Sequence, residues 1–458
     1  MHDIVRWNER ALEKALKTRR VVVISGARQC GKSTLLEMYF KGKAEVRSLD
    51  SKQLRDAAVL DPQSFIRNDT DSPMVIDEIQ KAPDLLSEIK LVVDRNRVPG
   101  QYVVTGSSDI YSAPESKESL AGRVKNIRMR TFTQGELRGG NPDFLTRLFG
   151  LDFATRYEGC DKNSVLELAL RGGYPECIAL SPEDRRDWAI DYVKTLLSRD
   201  IRDDEHIRRE RALRDLLRAT AAWSSKFLEA DKLMAACGLS RPTYVEYLGA
   251  LERYYLCERV EAWTNTDYAR VGKRPKSYMC DTGLMAAVLN WRMKDIELDT
   301  DRVGKLVETF VFTELAAQID LSSCSLYQYR DIDKREIDFV IENEDGDLAG
   351  VEVKAGAGVC KDDFKHIKWF RDNLAKGRKF TGIILYAGNQ TLSFEELSKS
   401  KEPLTAGQLR DLARTRFNRK KGDEAYEHLV KNTEKFGLNV QKQRGSNIKL
   451  YSAGVLPL

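Results

Sequence analysis

The chain has 458 residues, 42% of them apolar and 32% charged, with a net charge of +5. This is the composition of a soluble globular protein with room for about three domains at ~150 residues each. The absence of any run of ~18 apolar residues argues against a membrane-spanning helix. The start, "MHDIVRWNERALEKALKTRR", has no apolar h-region, so no signal peptide is expected. Eight scattered cysteines without a CxxC, and four histidines at no ligand spacing, argue against zinc and for reduced thiols in the cytoplasm. Charge is uneven: residues 404–458 hold eleven Lys/Arg and five Asp/Glu, or +6, and the rest of the chain sums to −1. Any attraction of nucleic acid by bulk charge belongs to that tail.

Taken in chain order, Val21–Ser25 is a short β-branched run, as in a buried parallel strand. It leads into G-x4-G-K-S and a helix beginning near Thr34. Gly26 and Gly31 let backbone N–H groups curl around phosphates, Lys32 reaches the outer ones, and Ser33 ligates Mg²⁺. Gly26, Gly31, Lys32, Ser33 and Thr34 are therefore the expected nucleotide-binding set, with ATP and Mg²⁺ as cofactors. In "MVIDEIQ", Met74–Ile76 is a strand, Asp77 would hold the metal through water, and Glu78 would orient or deprotonate the attacking water. "YVVTGSS" (102–108) is a third strand whose Thr105 or Ser107 could sense the γ-phosphate.

These motifs, "GARQCGKST", "VIDEIQ", "VVTGSS" and "LAGRV", resemble the AAA-like ATPases of the archaeal-type, STAND-related group (AAA_14) over roughly residues 1–140. The resemblance implies an arginine that stabilises the transferring phosphate, with Arg123 as first candidate and Arg199 as second. Where that group has a proline-containing stretch, this chain reads "RTFTQGEL".

Residues 141–204 read as a helical linker, interrupted by the loop "RGGYPE" (171–176), a turn without an evident chemical role. Residues 205–290 hold three helical runs. Gly238 breaks the second, Ser240 caps the third, and Pro242 lies in its first turn. The pattern looks like a winged helix. Such a third helix can read DNA, but Arg241 and Arg253 are balanced by Glu246 and Glu252, so a packing or protein-contact role stands beside it.

Residues 291–403 bring the second constellation. "GKLVETFVFTEL" (304–315) is an amphipathic helix with Val307, Phe310, Val311 and Leu315 toward the core and Glu308 beside that stripe. "EIDFVIENEDGDLAGVEVK" (336–354) is a hairpin. A three-residue loop Glu344–Asp345–Gly346, with Gly346 at positive φ, sets Ile337 against Val353, Phe339 against Val351 and Ile341 against Ala349. It also sets Asp338 opposite Glu352 at ~4.5–5.5 Å, with Lys354 two residues on. Two carboxylates that close need a cation between them, and Mg²⁺ fits. The plain alternative is a cross-strand ion pair. Glu on a helix, Asp on a strand, then E-x-K resembles the PD-(D/E)XK nuclease superfamily in its Holliday-junction-resolvase-like form. "CDTGLMAAVL" and "GVEVKAGA" resemble the DUF4143 domain that follows this ATPase type. The resemblance implies metal ligands Glu308, Asp338 and Glu352 with Lys354 as catalytic partner. Arg335, Lys334 and Lys365 are phosphate contacts or merely solvated charges.

Residues 404–458 read as a small basic α+β module, two helices and a hairpin turning at Arg444–Gly445–Ser446. "LNVQKQRGSN" weakly resembles HicA-like small domains, which place a histidine where this chain has Asn447. The expectation is an α/β multidomain protein: a P-loop parallel-sheet ATPase core (1–140), helical linker, winged helix, restriction-endonuclease-like domain and basic tail. Its expected function is ATP hydrolysis coupled to a Mg²⁺-dependent, nucleic-acid-binding nuclease-like domain, DNA being the expected substrate. The alternative is an ATP-driven switch whose C-terminal domain binds a protein partner, or a further copy of the chain, and cuts nothing.

Overall fold

The structure, a computed structural model, describes residues 4–67, 72–107, 120, 122–153, 161–202, 207, 209–266, 272–388, 440–441 and 447–448. Most of the basic C-terminal module lies outside the described residues, apart from the short antiparallel strand pair noted below.

The N-terminal sheet holds β1 (Val21–Ser25), β2 (Val46–Ser48), β3 (Met74–Asp77), β4 (Tyr102–Gly106) and β5 (Val124–Arg128) in the order β2-β3-β4-β1-β5, all parallel. β1 is apolar from Val21 to Ile24 because both its faces are covered. Val22 and Ile24 join Leu12 and Leu36 in one core, while Val21 and Val23 join Leu85, Ile89 and Val93 in another. β4 separates β1 from β3. The carboxyl ends of the three strands therefore bring the loop after Ser25, Thr105 and Asp77 to one edge. The helix after the loop starts at Lys32, two residues earlier than the sequence suggests, with Gly31 left-handed at its N-cap.

Helices Lys162–Arg171 and Pro182–Thr195 follow, the second running into a π-turn at Leu196–Ile201. Next come Glu210–Ala222, Ala230–Cys237 and Arg241–Arg253. Gly238 ends the second of these at φ 59°, and Ser240 Oγ accepts the Thr243 N–H at 3.4 Å. Strands β6 (Lys226–Phe227), β7 (Cys257–Val260) and β8 (Lys276–Met279) form an antiparallel sheet, order β6-β8-β7, in the manner of a winged helix.

The C-terminal sheet has the order β12-β11-β10-β9, from β9 (Ser325–Arg330), β10 (Glu336–Glu342), β11 (Leu348–Lys354) and β12 (Phe380–Tyr386). Helix Thr300–Ile319 covers one face, where Phe312 stacks on Tyr278 at 4.5 Å and Phe339 closes the group. Helix Lys365–Asn373 covers the other, with Phe370 against Trp263 and Ile337. Fully burying one such ring is worth about 2–3 kcal/mol. The hairpin register is the expected one at Phe339↔Val351 and Ile341↔Ala349, with Gly346 at φ 77°, but the expected pairs Ile337↔Val353 and Asp338↔Glu352 do not form. One expectation fails. A bulge between Ile337 and Val340 opposite β9 shifts the pleat, so Ile337 and Phe339 enter different cores. The ladder opens beyond Phe339, and the Val353 N–H donates to Asp338 Oδ2 at 2.9 Å.

In the tail, β13 (Val440–Gln441) pairs antiparallel with β14 (Asn447–Ile448). Among the described residues, no helix is long and apolar enough to cross a membrane.

Candidate nucleotide site and carboxylate cluster

The loop after β1 is held by its own lysine. Lys32 Nζ, 4% exposed, donates to the carbonyls of Gly26 and Ala27, each at 2.9 Å. Gly26 presses on the residue after β5, where an added Cβ would stand 2.1 Å from the Met129 carbonyl oxygen. Ser33 Oγ donates to Asp77 Oδ2 at 2.8 Å, so the two expected Mg²⁺-side groups already meet. Ser33 and Thr34 are otherwise exposed. Thr105 is fully buried, bonded to Asp77 Oδ1, and its Oγ1 accepts the Glu78 N–H at 3.1 Å. It fixes the two acids instead of facing open space. Glu78 adopts φ 59°, a strained angle for a side-chain-bearing residue. Ser107 Oγ donates to its carboxylate at 3.1 Å, and Gln80 adds a second bond.

The first arginine candidate, Arg123, lies away from this edge. Arg123 precedes β5, whose start pairs with Val21 at the far end of β1, and it grips Asp94 at 2.9 Å. That is the sheet's amino edge, ~15 Å from the loop at ~3.3 Å per residue. Arg199 is exposed in the π-turn. Its neighbour Asp200 is the group that pairs with Arg28 of the loop. Two tyrosines tighten that contact: Tyr192 OH donates to the Arg28 carbonyl at 3.1 Å, and Tyr254 OH to the Asp200 carbonyl at 3.2 Å.

The "RGGYPE" turn proves to be a clasp. Asp281 Oδ2 accepts the Gly173 N–H at 2.8 Å and the Thr131 hydroxyl at 3.2 Å, while Oδ1 accepts the Leu284 N–H at 2.8 Å. Gly173 returns its carbonyl to the Phe132 N–H at 2.7 Å. Burial pushes the Asp281 carboxyl up, against the pull of those donors. Nearby, Arg130 binds Glu258 at 2.9 Å and Asp320 at 2.6 Å, and Arg128 binds Glu258 at 2.7 Å. Burial would raise Glu258, but Arg128 and Arg130 hold it at about 2. Glu314, on the helix that carries Glu308, accepts the Gln134 N–H at 2.9 Å, and burial lifts its carboxyl to about 8.

The second expected site is rearranged by a residue from β8. Lys276 Nζ, 1% exposed, stands 3.0 Å from Glu308 Oε1, 3.0 Å from Asp338 Oδ1 and 2.7 Å from Glu336 Oε1. Tyr278, two residues on, donates to Glu308 Oε1 at 2.7 Å. Glu352 is turned to Lys354 at 2.9 Å, and Lys354 approaches Asp363 at 3.7 Å. Of the expected Mg²⁺ ligands Glu308, Asp338 and Glu352, the structure brings Glu308 and Asp338 to one ammonium and turns Glu352 to Lys354, the expected catalytic partner. An ammonium takes the place reserved for the metal, and Glu336 replaces Glu352 in the triad. Among the described residues, no group of three or more His, Cys, Asp or Glu side chains is arranged to hold a metal ion. Burial, then Asp338, raises Glu308 to about 7, and the same two causes raise Glu352 to about 8. Burial would lower Lys276, but Glu308, Tyr278, Asp338 and Glu336 keep it well above the usual lysine range. Arg335 is tied to Asp331 at 2.8 Å and lies over Trp369, while Lys334 and Lys365 are exposed.

Lys276, Tyr278 and Glu336 were not among the expected residues. The available signal was a lysine spaced two from a tyrosine in the short strand "KSYM", where a charge needs a buried partner.

Three family models match the chain: an AAA domain (AAA_14) at residues 18–138, a domain of unknown function (DUF8612) at 162–295, and another (DUF4143) at 303–404. Uncharacterized proteins of Mycobacterium bovis and Mycobacterium tuberculosis are each 27% identical over 348 residues, covering 75% of this chain and 72% of theirs. Among solved structures, the Thermotoga maritima RuvB Holliday junction branch migration motor aligns with 58% of this chain and 93% of its own, at 18% identity and TM-score 0.26. A STAND protein with a tetratricopeptide repeat sensor from Pyrococcus horikoshii aligns with 70% and 50%, at 12% identity and TM-score 0.19. Scores at that level carry no structural argument.

Proposed function

From a chain that carries an AAA domain followed by a DUF4143 domain, we propose an ATP-driven switch whose C-terminal nuclease-like fold engages a partner and does not cut. In this reading Lys32 exchanges the Gly26 and Ala27 carbonyls for the outer phosphate oxygens of ATP, and loop N–H groups hold the inner ones. Ser33 and Asp77 hold Mg²⁺, which would supply charge neutralisation at the phosphates. The hydrogen bond between Ser33 and Asp77, together with the fixing of Asp77 by Thr105, supports that assignment. Glu78 orients water, restrained by Ser107 and Gln80. The nucleotide state reaches the rest of the chain through Arg28–Asp200 and the Asp281 clasp.

The observation that carries the non-cutting reading is Lys276 Nζ among Glu308, Glu336 and Asp338. A divalent ion at that point would have to expel a buried, fully paired ammonium. The neutral third helix, Arg241–Arg253, favours a protein partner over duplex DNA. Such a protein works in the cytoplasm, where scattered cysteines stay reduced.

The test uses the full-length chain. ATP turnover should be present and should vanish in Lys32→Ala. Plasmid and single-stranded DNA should remain intact with Mg²⁺ or Mn²⁺, with or without ATP. Metal-dependent cutting that Asp338→Ala abolishes would sink the non-cutting reading and restore the nuclease one.

A further inference from the structure

Helices Lys162–Arg171, Pro182–Thr195 and Thr282–Leu289 enclose an open cleft of about 770 Å³. Arg171, Arg185 and Arg186 line it, with Trp188 and Trp291 beside them. Buried or half-buried arginines ordinarily answer to an acid. Among the described residues, none of these three has a carboxylate at ion-pair distance, although Glu167, Glu183 and Asp187 share the wall. Their partners are neutral: Arg171 donates to Gln134 Oε1 at 2.7 Å, and Arg185 to the Ser181 carbonyl at 3.4 Å. The Nε atoms of Arg171 and Arg186 are buried without an acceptor. Burial, then the guanidiniums of Arg185 and Arg138, pushes Arg171 below the usual arginine range, which marks uncompensated positive charge. The ring beside them is fixed. Trp188 stacks one face on Tyr192 at 5.1 Å and 9°, and its Nε1 donates to Glu176 Oε2 at 2.7 Å.

We propose that this cleft binds a small phosphorylated compound with a flat ring, of the nucleotide class, at a site separate from the P-loop. Guanidinium forks match phosphate oxygens, and an immobilised indole offers a stacking platform. The volume lies within the ~300–1,000 Å³ of small-molecule sites. Tyr174 and Asp281 line the same cleft, and Tyr174 also packs in the core beneath the P-loop with Ala27 and Cys30. A ligand here bears on the clasp, so the site is regulatory.

The experiment titrates the full-length protein with AMP, following indole fluorescence, with adenosine and inorganic phosphate as parallel arms. AMP should bind the unmodified protein and Lys32→Ala equally. It should bind Arg185→Gln/Arg186→Gln roughly tenfold more weakly or worse. Trp188→Phe should keep most of the affinity and lose most of the signal. Phosphate should compete with AMP, and adenosine should bind far more weakly. The proposal is overturned by AMP binding that Lys32→Ala removes and the arginine pair does not. Adenosine binding as tightly as AMP, or no saturable AMP binding at all, overturns it too.

Discussion

Lys276 Nζ lies 3.0 Å from Asp338 Oδ1, across 62 residues of sequence and between two different sheets. The pair locks β8 of the winged-helix region to the bulge in β10, and Glu308 ties both to the Thr300–Ile319 helix. The cluster joins these elements through residues whose order along the chain resembles a metal site.

Removing the ammonium should expose that role. Lys276→Met removes the cation that Glu308, Glu336 and Asp338 share, leaving only Arg330 at 3.9 Å from Glu336, and breaking a buried pair from one side costs about 3–5 kcal/mol. The denaturant midpoint should fall accordingly. The loss should be greater at pH 8.5 than at pH 5.5, because at low pH the orphaned carboxyls can take up protons. A Lys276→Met variant as stable as the parent at pH 8.5 would show that the ammonium is not holding the joint.

What the sequence made legible was local. The P-loop, Asp77 and the hairpin register each follow from residues within one strand–turn unit, where period and turn chemistry suffice. Lys276 was hidden because no periodicity tells which strand of another sheet will point into a carboxylate pair. The bulge at Asp338–Phe339 was hidden because it depends on β9, the partner on the other side. Arg123 misled because the motif around it does not reveal that a parallel strand begins at Val124, which carries the arginine away from the loop. The Gly172–Gly173 turn was seen, but its partner Asp281 comes from a helix cap more than a hundred residues on.

Glu314 offers a pH readout separate from the cluster. Its folded carboxyl is raised by burial to about 8, from 4.5 when unfolded. A raised acid stabilises the folded state fully below its unfolded value and loses that contribution as pH rises through about 8. Glu314→Gln keeps an acceptor for the Gln134 N–H and removes the titration. The parent's Tm should therefore fall between pH 5.5 and 8.5 more steeply than the variant's. Parallel slopes for the two proteins would rule out Glu314 as a titrating group in that window.

At the nucleotide edge, binding and hydrolysis should separate. Glu78 touches Ser107 and Gln80 but not Lys32 or Ser33, so Glu78→Gln should retain ATP affinity within about twofold and slow turnover by about 10²–10⁴-fold. Asp77→Asn should weaken Mg²⁺-dependent ATP binding itself, since Asp77 meets Ser33 directly. Equilibrium binding of a fluorescent ATP analogue, set beside phosphate release, distinguishes the two. Equal loss of affinity in both variants would mean that Glu78 is part of the binding surface.

The clasp makes the sharpest steric prediction. An alanine methyl at Gly173 would stand 2.1 Å from the Phe132 carbonyl oxygen and 3.0 Å from Thr131 Oγ1, so backbone must move. The nearest escape disrupts the Phe132–Gly173 hydrogen bond and with it the Asp281 contact. Gly173→Ala should cost about 1–3 kcal/mol. Because Tyr174 follows directly and packs under the P-loop, it should also raise the KM for ATP. Gly304 is the contrast: it sits within the Thr300–Ile319 helix with nothing within 4 Å of an added Cβ. There alanine removes unfolded-state freedom without a clash and should stabilise by about 0.5–1 kcal/mol, with ATP turnover unchanged. Thermal denaturation and steady-state ATPase kinetics on both variants separate clash from propensity. If Gly173→Ala proved as harmless as Gly304→Ala, the turn would not be the rigid link between the nucleotide loop and the Asp281 region.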